Sequence, residues 1–541
     1  MDNVAQYLRK HLSGEILTGA KVRDFFSTDG SIFRVVPKVI VYPRNATDVR
    51  KAVRFSWQLA EKGKVFPITG RGKGTDQGGG ALGEGMMMVF PAHMNNLLEI
   101  DKDTVTIQPG ELYATMQKIL ITHGRFFPPY PSSIEFSTIG GAVANNAAGE
   151  KTVKYGATVD YVKSLQVVLA NGELITTKRL SRRELSHKMG QSNFEGEVYR
   201  QLDALIMDNW DLVQRAKPVV SKNSAGYKLW DVKKKDGSFD LTPLIVGSQG
   251  TIGLVTQITL KTEVYNPHTH LIAAYFDDVE KAGQAVLAVS KLKPSALEVV
   301  DEHLLRFIHS SHPHQLSDVI TEPFPKVVLL IEFDEGSAGD RKKKVKRAKK
   351  AIGAYAYEYS VTDDPGEQAM LWKIRHSAAA VIWEDKGTAK ALPIIEDGVV
   401  PIEHLSEFLH GAYNLFKKNN LEIAVWGHAG NANLHMQPFL DLANMGDRQK
   451  LFRVMDEFYQ MVIDMGGSTC GEHNDGRLRA PYLEQLFGKE AYGLFNKVKQ
   501  IFDPYGILNP GVKIGVTRQD QLKYLRSEYN MSHLYDHLPR M

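Results

Sequence analysis

A single cysteine, Cys470, stands among 541 residues. An intrachain disulfide, a cysteine-ligated zinc module and an iron–sulfur cluster are therefore excluded, since each takes several thiols. Any electrons the chain handles need another carrier. Long apolar runs are also missing: nothing approaches the roughly 18 consecutive apolar residues of a membrane-spanning helix. The opening M-D-N-V-A-Q-Y-L-R-K brings an acid at once and no apolar signal core. The expectation is a cytoplasmic protein. Charge of one sign is scarce too, for a surplus of four positive charges gives no reason to expect nucleic acid. One run departs from this balance, R-K-K-K-V-K-R-A-K-K at 341–350. It reads as a helix with its valine and alanine inward and a solvated basic face, leaving open peripheral contact with an acidic membrane surface.

The length implies two or more domains, each able to enclose a ligand. Glycine is plentiful and clustered. From Thr47 an amphipathic helix with apolar positions Val49, Ala52, Val53, Leu59 and Ala60 runs to about Gly63, capped by Thr47 and Asp48. A buried strand, V-F-P-I-T, then enters T-G-R-G-K-G-T-D-Q-G-G-G at 69–80. This is not a Rossmann fingerprint, because strand-like M-M-M-V-F follows where a helix is required. Backbone N–H groups of such a loop can still converge on a diphosphate. A second small-residue stretch, P-P-Y-P-S-S-I-E-F-S-T-I-G-G-A-V-A-N-N-A-A-G at 128–149, suits a flat ring system laid against backbone. A hairpin turn is expected at Asn171–Gly172. A third glycine turn lies within 244–260. Three such turns suggest one large ligand touched three times.

The segment W-G-H-A-G-N-A-N-L-H-M-Q-P at 426–438 sets His428 and His435 seven apart. On a straight helix they would lie about 10 Å apart along the axis, and on a straight strand they would face opposite ways. Only a bend, supplied by Ala429 to Asn433, brings both to one divalent ion.

These residues together resemble the FAD-linked D-2-hydroxyacid dehydrogenase branch (D-lactate, glycolate, D-2-hydroxyglutarate) of the vanillyl-alcohol oxidase and p-cresol methylhydroxylase family, over about residues 33–515. The resemblance implies an α+β fold. A helical segment (1–32) would precede a two-lobed FAD-binding domain (33–264), an α+β cap (265–500) and a C-terminal segment (501–541) returning to the FAD domain. It implies FAD contacts from Arg71, Gly72, Lys73, Gly74, Thr75, Asp76 and Gly79, then Pro131, Ser132, Ser133, Thr138, Ile139, Gly140, Gly141, Asn145, Asn146 and Gly149. Tyr155, Gly156, Gly250, Thr251, Val255 and Asn509 complete that set. Thr75 and Asp76 stand where some relatives attach FAD through a histidine, so noncovalent FAD is expected.

The same resemblance implies that His428, His435 and Glu472, the last in G-E-H at 471–473, hold a divalent metal, with zinc the expected ion. His473 would be the base. Asn431-Ala432 departs from the family's Asp-Gly, keeping both histidines but touching the bend. Arg375 and Lys390 would take the substrate carboxylate, against plainer readings as a salt bridge and a solvated lysine. Ala379 stands where hydroxyglutarate enzymes carry a hydroxyl, and Gln437 is placed to reach the far end of a substrate or merely to face the turn. Cys470 reads as a small buried residue.

A histidine base contributes roughly 10²- to 10⁴-fold, whereas a metal lowers the pKa of bound water by about nine units; the metal effect is the larger. The activity implied is oxidation of a small D-2-hydroxy acid, with hydride to flavin and onward transfer to a quinone, oxygen or a separate redox protein. The competing readings are an FAD-dependent alcohol oxidase or ether-lipid synthase of the same superfamily, a metal-dependent hydrolase holding a regulatory nucleotide, and a silent flavin scaffold.

Overall fold

The structure, a computed structural model, describes residues 2–312, 314–378, 385–386 and 388–540. Ala379 lies outside them. Three sheets carry the architecture. The first is four-stranded: Val39–Tyr42 and Ile68–Arg71 flank Met86–Val89 in parallel, and Glu15–Leu17 closes one edge antiparallel. The helix Ala46–Glu61 covers it, as the apolar stripe predicts. Its cap is Asn45, whose side chain accepts from Asp48 N–H, rather than Thr47 or Asp48. The second sheet is antiparallel, with Leu97–Ile100, Thr104–Ile107, Leu254–Lys261, Val162–Val168 and Leu174–Thr177 in spatial order. The expected hairpin is present, with Val168 opposite Leu174 and Gly172 at φ +87. Each sheet has its own apolar core. Residues 68–80 run from the first lobe and 138–145 cap the second, so the two glycine stretches meet at the seam. A Cβ on Gly72 would overlap Thr138 Oγ1.

The third sheet is seven-stranded, in the order Glu358–Thr362, His270–Phe276, Val327–Phe333, Ala296–Asp301, Val425–His428, Asn433–Met436, Gly398–Val399. Its inner strands His270–Phe276 and Val327–Phe333 are largely apolar because both faces are covered. Leu329, Ile331 and Phe333 pack with the helix Val279–Ser290 on one side. Val328 and Leu330 pack with Glu302–Ser311 on the other. The basic run forms the helix Ala338–Ile352, with Arg341, Val345, Ala348 and Ile352 buried. The lysines face outward, as the spacing demands. Among the described residues no helix is long and apolar enough to cross a membrane.

After Asp503 the chain returns to the first lobe. Asn509 N–H donates to Ile68 O at 2.8 Å. The remaining residues add the helix Arg518–Tyr524, capped by Thr517, and a tail that bonds Gly30, Gly74 and Tyr42.

Candidate active site

The hairpin Val425–His428/Asn433–Met436 shows how two histidines seven apart meet. Its register pairs His428 with Asn433 and Trp426 with His435. Cross-strand partners and residues two apart share a face, so His428 and His435 stand diagonally adjacent on one surface. Their rings lie 5.2 Å apart at 89°. The bend is thus a full reversal, made by Ala429–Asn431 and then Ala432 at φ 49, ψ 40. A residue with a Cβ in that left-handed position costs about 1 kcal/mol, a strain the glycine of the family pattern would not bear.

Glu472 arrives from the loop after the helix Met445–Asp464. That loop is pinned by the buried Asp397, whose carboxylate accepts Glu472 N–H at 3.1 Å and His473 N–H at 2.7 Å. Glu472 Oε1 lies 3.0 Å from His428 Nε2 and 3.3 Å from His435 Nε2. Ligand atoms of a tetrahedral site with bonds near 2.1 Å sit about 3.4 Å apart, so the His/His/Glu donor set fits a small divalent cation. A second group, Glu396, His435 and His473, also brings its donor atoms within 4.8 Å of one another.

Four partners were not legible in the sequence. Glu298, buried on the central strand Ala296–Asp301, accepts from His428 Nδ1 at 2.8 Å and from Arg375 Nε at 2.8 Å. It fixes the ring of one and the guanidinium of the other. Lys222 Nζ donates to Glu472 Oε2 at 2.7 Å, both groups being buried. Glu396 pairs with His473 Nδ1 and with Arg479. An acidic pair, Glu396–Asp397, in the otherwise apolar P-I-I-E-D-G-V-V was the one available signal.

Burial alone would raise the Glu396 carboxyl, but His473 and Arg479 outweigh it and hold it below the usual carboxylate range. Burial likewise opposes charge on His473, yet Glu396 and Asp397 push its pKa up to about 9. For Glu472 the burial penalty is overcome by Lys222 and His428, so the carboxyl stays well below its ordinary value.

These groups line one end of a cavity of about 600 Å³, whose other end is the first glycine loop. Along it lie Arg71, Gly72, Lys73, Gly74, Thr75 and Asp76, then Pro131, Ser132, Ser133, Thr138, Gly140, Gly141 and Asn145, with Gly250 and Val255 from the third turn. Arg375, His428, His435, Gln437, Glu472 and His473 complete it. Arg71 is buried and none of its three guanidinium nitrogens has a partner. A buried cation left so is costly, and a diphosphate would relieve it. Burial lowers its pKa to about 10.

Several expected contact residues do not line the cavity. Asn509 spends its amide on Gly80 O, Gln249 O and Thr69 Oγ1, tying the glycine turns together. Tyr155 hydroxyl donates to Asp334 of the cap, and Thr251 Oγ1 bonds Ser248 O. Asn146 accepts from Val159 N–H, and Ile139 lies in the core. Gly149 packs against Tyr130 O, Gly79 against Phe33 and Gly156 against Asp160. These residues brace the walls from behind. Lys390, half-buried on Ala389–Ala391 opposite Leu440, is likewise absent from the lining. Cys470 is fully buried, in reach of Asp475.

A hydrolase with a separate regulatory nucleotide would keep its His/Glu cluster and glycine loops in different cavities; here they share one. The model of the FAD binding domain matches residues 37–178, and that of the C-terminal domain of FAD linked oxidases matches 266–512. The glycolate oxidase subunit GlcD of Bacillus subtilis is 31% identical over 488 residues, 88% of this chain and 89% of that protein. This chain belongs to the FAD-linked oxidase family. A D-lactate dehydrogenase of Anaerostipes hadrus is 28% identical over 92% of the chain and 94% of that protein. The D-2-hydroxyglutarate dehydrogenase of Escherichia coli is 29% identical over 92% of the chain, which spans only 50% of that longer protein. Among solved structures, 4-ethylphenol oxidase from Gulosibacter chungangensis superposes with a TM-score of 0.66 at 15% identity, covering 96% and 98% of the two chains. An alkyldihydroxyacetonephosphate synthase gives 0.63 at 16%, covering 94% and 84%. At such identity these two share the two-domain fold alone.

Proposed function

We propose that this FAD-linked oxidase oxidises a small D-2-hydroxy acid, of the lactate or 2-hydroxyglutarate kind, to the 2-oxo acid. The observation that carries the reading is the single cavity: a diphosphate-compatible glycine loop at one end, and Arg375, His473 and the His428–His435–Glu472 triad at the other. Noncovalent FAD, when bound, supplies the hydride acceptor. A divalent cation at the triad supplies Lewis acidity toward the 2-hydroxyl and, by its charge, favours the neutral form of His473.

The chain's own residues do the rest. Arg375 is held through Nε by Glu298, so its two terminal nitrogens remain as a fork for a carboxylate. His473, anchored through Nδ1 by Glu396, presents Nε2 for the hydroxyl proton. Gln437 Oε1 is buried without a partner and lines the cavity, which suits a polar group at the far end of the substrate. The first triad is preferred for the metal because the alternative cluster would consume His473. Lys390, outside the cavity lining, would be a further contact for the substrate carboxylate. The electron acceptor would be a quinone, oxygen or a separate redox protein.

The test is anaerobic titration of the purified flavoprotein with D- and L-2-hydroxy acids. Bleaching of the flavin by a D-acid, lost on chelation of metal with flavin retained, is expected. Indifference to every D-acid tried would reject the reading, and full turnover in demonstrably metal-free protein would reject the triad's role.

A further inference from the structure

The family model stops at residue 512, yet the chain continues to 541 and comes back over the cavity. This tail is tied at both ends and in the middle. At its start Gln521 Nε2 donates to Arg477 O and Leu478 O, and Arg526 N–H donates to Ile32 O. At its far end Tyr42 hydroxyl donates to Pro539 O, and Arg540 pairs with Glu15. Between these anchors Tyr529 hydroxyl donates to Gly30 O at 2.8 Å. His533 Nε2 donates to Gly74 O at 3.0 Å, inside the glycine loop itself. The Tyr535 ring meets Phe136 edge-on at 5.1 Å. Met531 and Leu534 are buried and line the cavity.

We propose that residues 525–540 are a cofactor-retaining strap: Met531 and Leu534 form the outer wall against the FAD, and His533 locks the glycine loop through Gly74. This rests on the FAD reading above and extends it to residues that the family match does not reach. Three observations point the same way. The tail contributes Met531 and Leu534 to the cavity lining. Its latch is on the loop whose backbone is expected at the diphosphate. Arg71, with its three unpartnered nitrogens, sits under that loop, so an anion bound there would be enclosed between the loop and the strap. In a chain whose glycine loop has Thr75 and Asp76 rather than an attaching histidine, a mechanical cover would be what keeps the cofactor from leaving.

The experiment is FAD release from the full-length holoprotein, followed by the rise in free-flavin fluorescence after dilution, for the parent, Met531→Ala/Leu534→Ala and Asn530→Ala. Asn530 is exposed on the same strap. The double variant should release FAD at least tenfold faster and Asn530→Ala within twofold of the parent, while the FAD-free forms melt alike. Equal release from all three would overturn the strap, as would equal acceleration by Asn530→Ala. A purified parent that takes up no FAD at all would instead overturn the FAD reading beneath it. Should the double variant fail to fold, the parent alone suffices: added FAD should slow chymotryptic cutting after Tyr535, exposed on the strap, at least fivefold, and an unchanged cutting rate would overturn the proposal.

Discussion

Glu298→Gln tests the geometry most directly. The carboxylate of Glu298 is buried between two donors, His428 Nδ1 at 2.8 Å and Arg375 Nε at 2.8 Å, and so holds a candidate metal ligand and a candidate substrate clamp at once. Glutamine keeps the shape but offers one acceptor oxygen for two donors. If the oxygen serves Arg375, the amide NH₂ confronts His428 Nδ1–H; the ring must then swap its proton to Nε2, the atom that faces Glu472. Losing such a supporting partner typically weakens metal affinity 10- to 100-fold, about 1.4 to 2.7 kcal/mol. If the oxygen serves His428, Arg375 is left buried without its counter-charge, and the loss appears in substrate affinity and in stability instead. The assay is chelator competition for zinc on folded protein, paired with anaerobic titration of the flavin by D-hydroxy acids. The sum of the two effects should reach at least tenfold. Zinc affinity and substrate response both within twofold of the parent, in a variant that melts like it, would refute the claim that Glu298 organises the site.

Replacing His473 with alanine should leave flavin absorbance intact and slow flavin reduction by substrate about 10²- to 10⁴-fold; an unchanged reduction rate would remove its role as base. Lys222→Met strips Glu472 of its buried cation and should cost metal-free protein about 3–5 kcal/mol, partly restored by zinc, with denaturant melts in the presence and absence of zinc as the check. Burial and the neighbouring Arg71, Arg526 and Lys73 lower the His533 pKa to about 3, against the Gly74 carbonyl, which supports the charged form. The unfolded chain therefore binds a proton below pH 6.5 that the folded chain refuses until about pH 3, and stability falls with pH through that window. The loss at pH 5 relative to neutral pH is about 2 kcal/mol; His533→Gln should remove it, and an unaltered pH dependence of FAD-free protein would contradict the assignment. Burial, then Asp475, raises the Cys470 thiol well above its ordinary range, so the native protein should resist thiol reagents at pH 8 and react only on unfolding.

The amino-acid order alone determined what depends on neighbours in the chain. Three glycine turns, the amphipathic helices, the Asn171–Gly172 hairpin and the outward face of the basic helix follow from periodicity and turn chemistry, which act over a few residues. Resemblance added the residue types at the site, and the FAD-linked family it implied is the one to which the chain belongs. The meeting of His428 with His435 needed one further step, the hairpin register, because a reversal of unknown length leaves the shared face undetermined.

Tertiary structure decided the charges. Glu298 lies 130 residues from His428, and Lys222 lies 250 from Glu472; no local rule links them, since such pairs are set by which strands and loops the two domains press together. It also sorted the glycine-region residues into those that face the cavity, such as Gly72 and Asn145, and those that hold the wall from behind, such as Asn509 and Thr251. The strap is the extreme case: nothing in E-Y-N-M-S-H-L-Y-D-H-L at 528–538 announces a cavity wall, because a short irregular segment has no periodicity of its own and takes its place only from the surfaces it crosses.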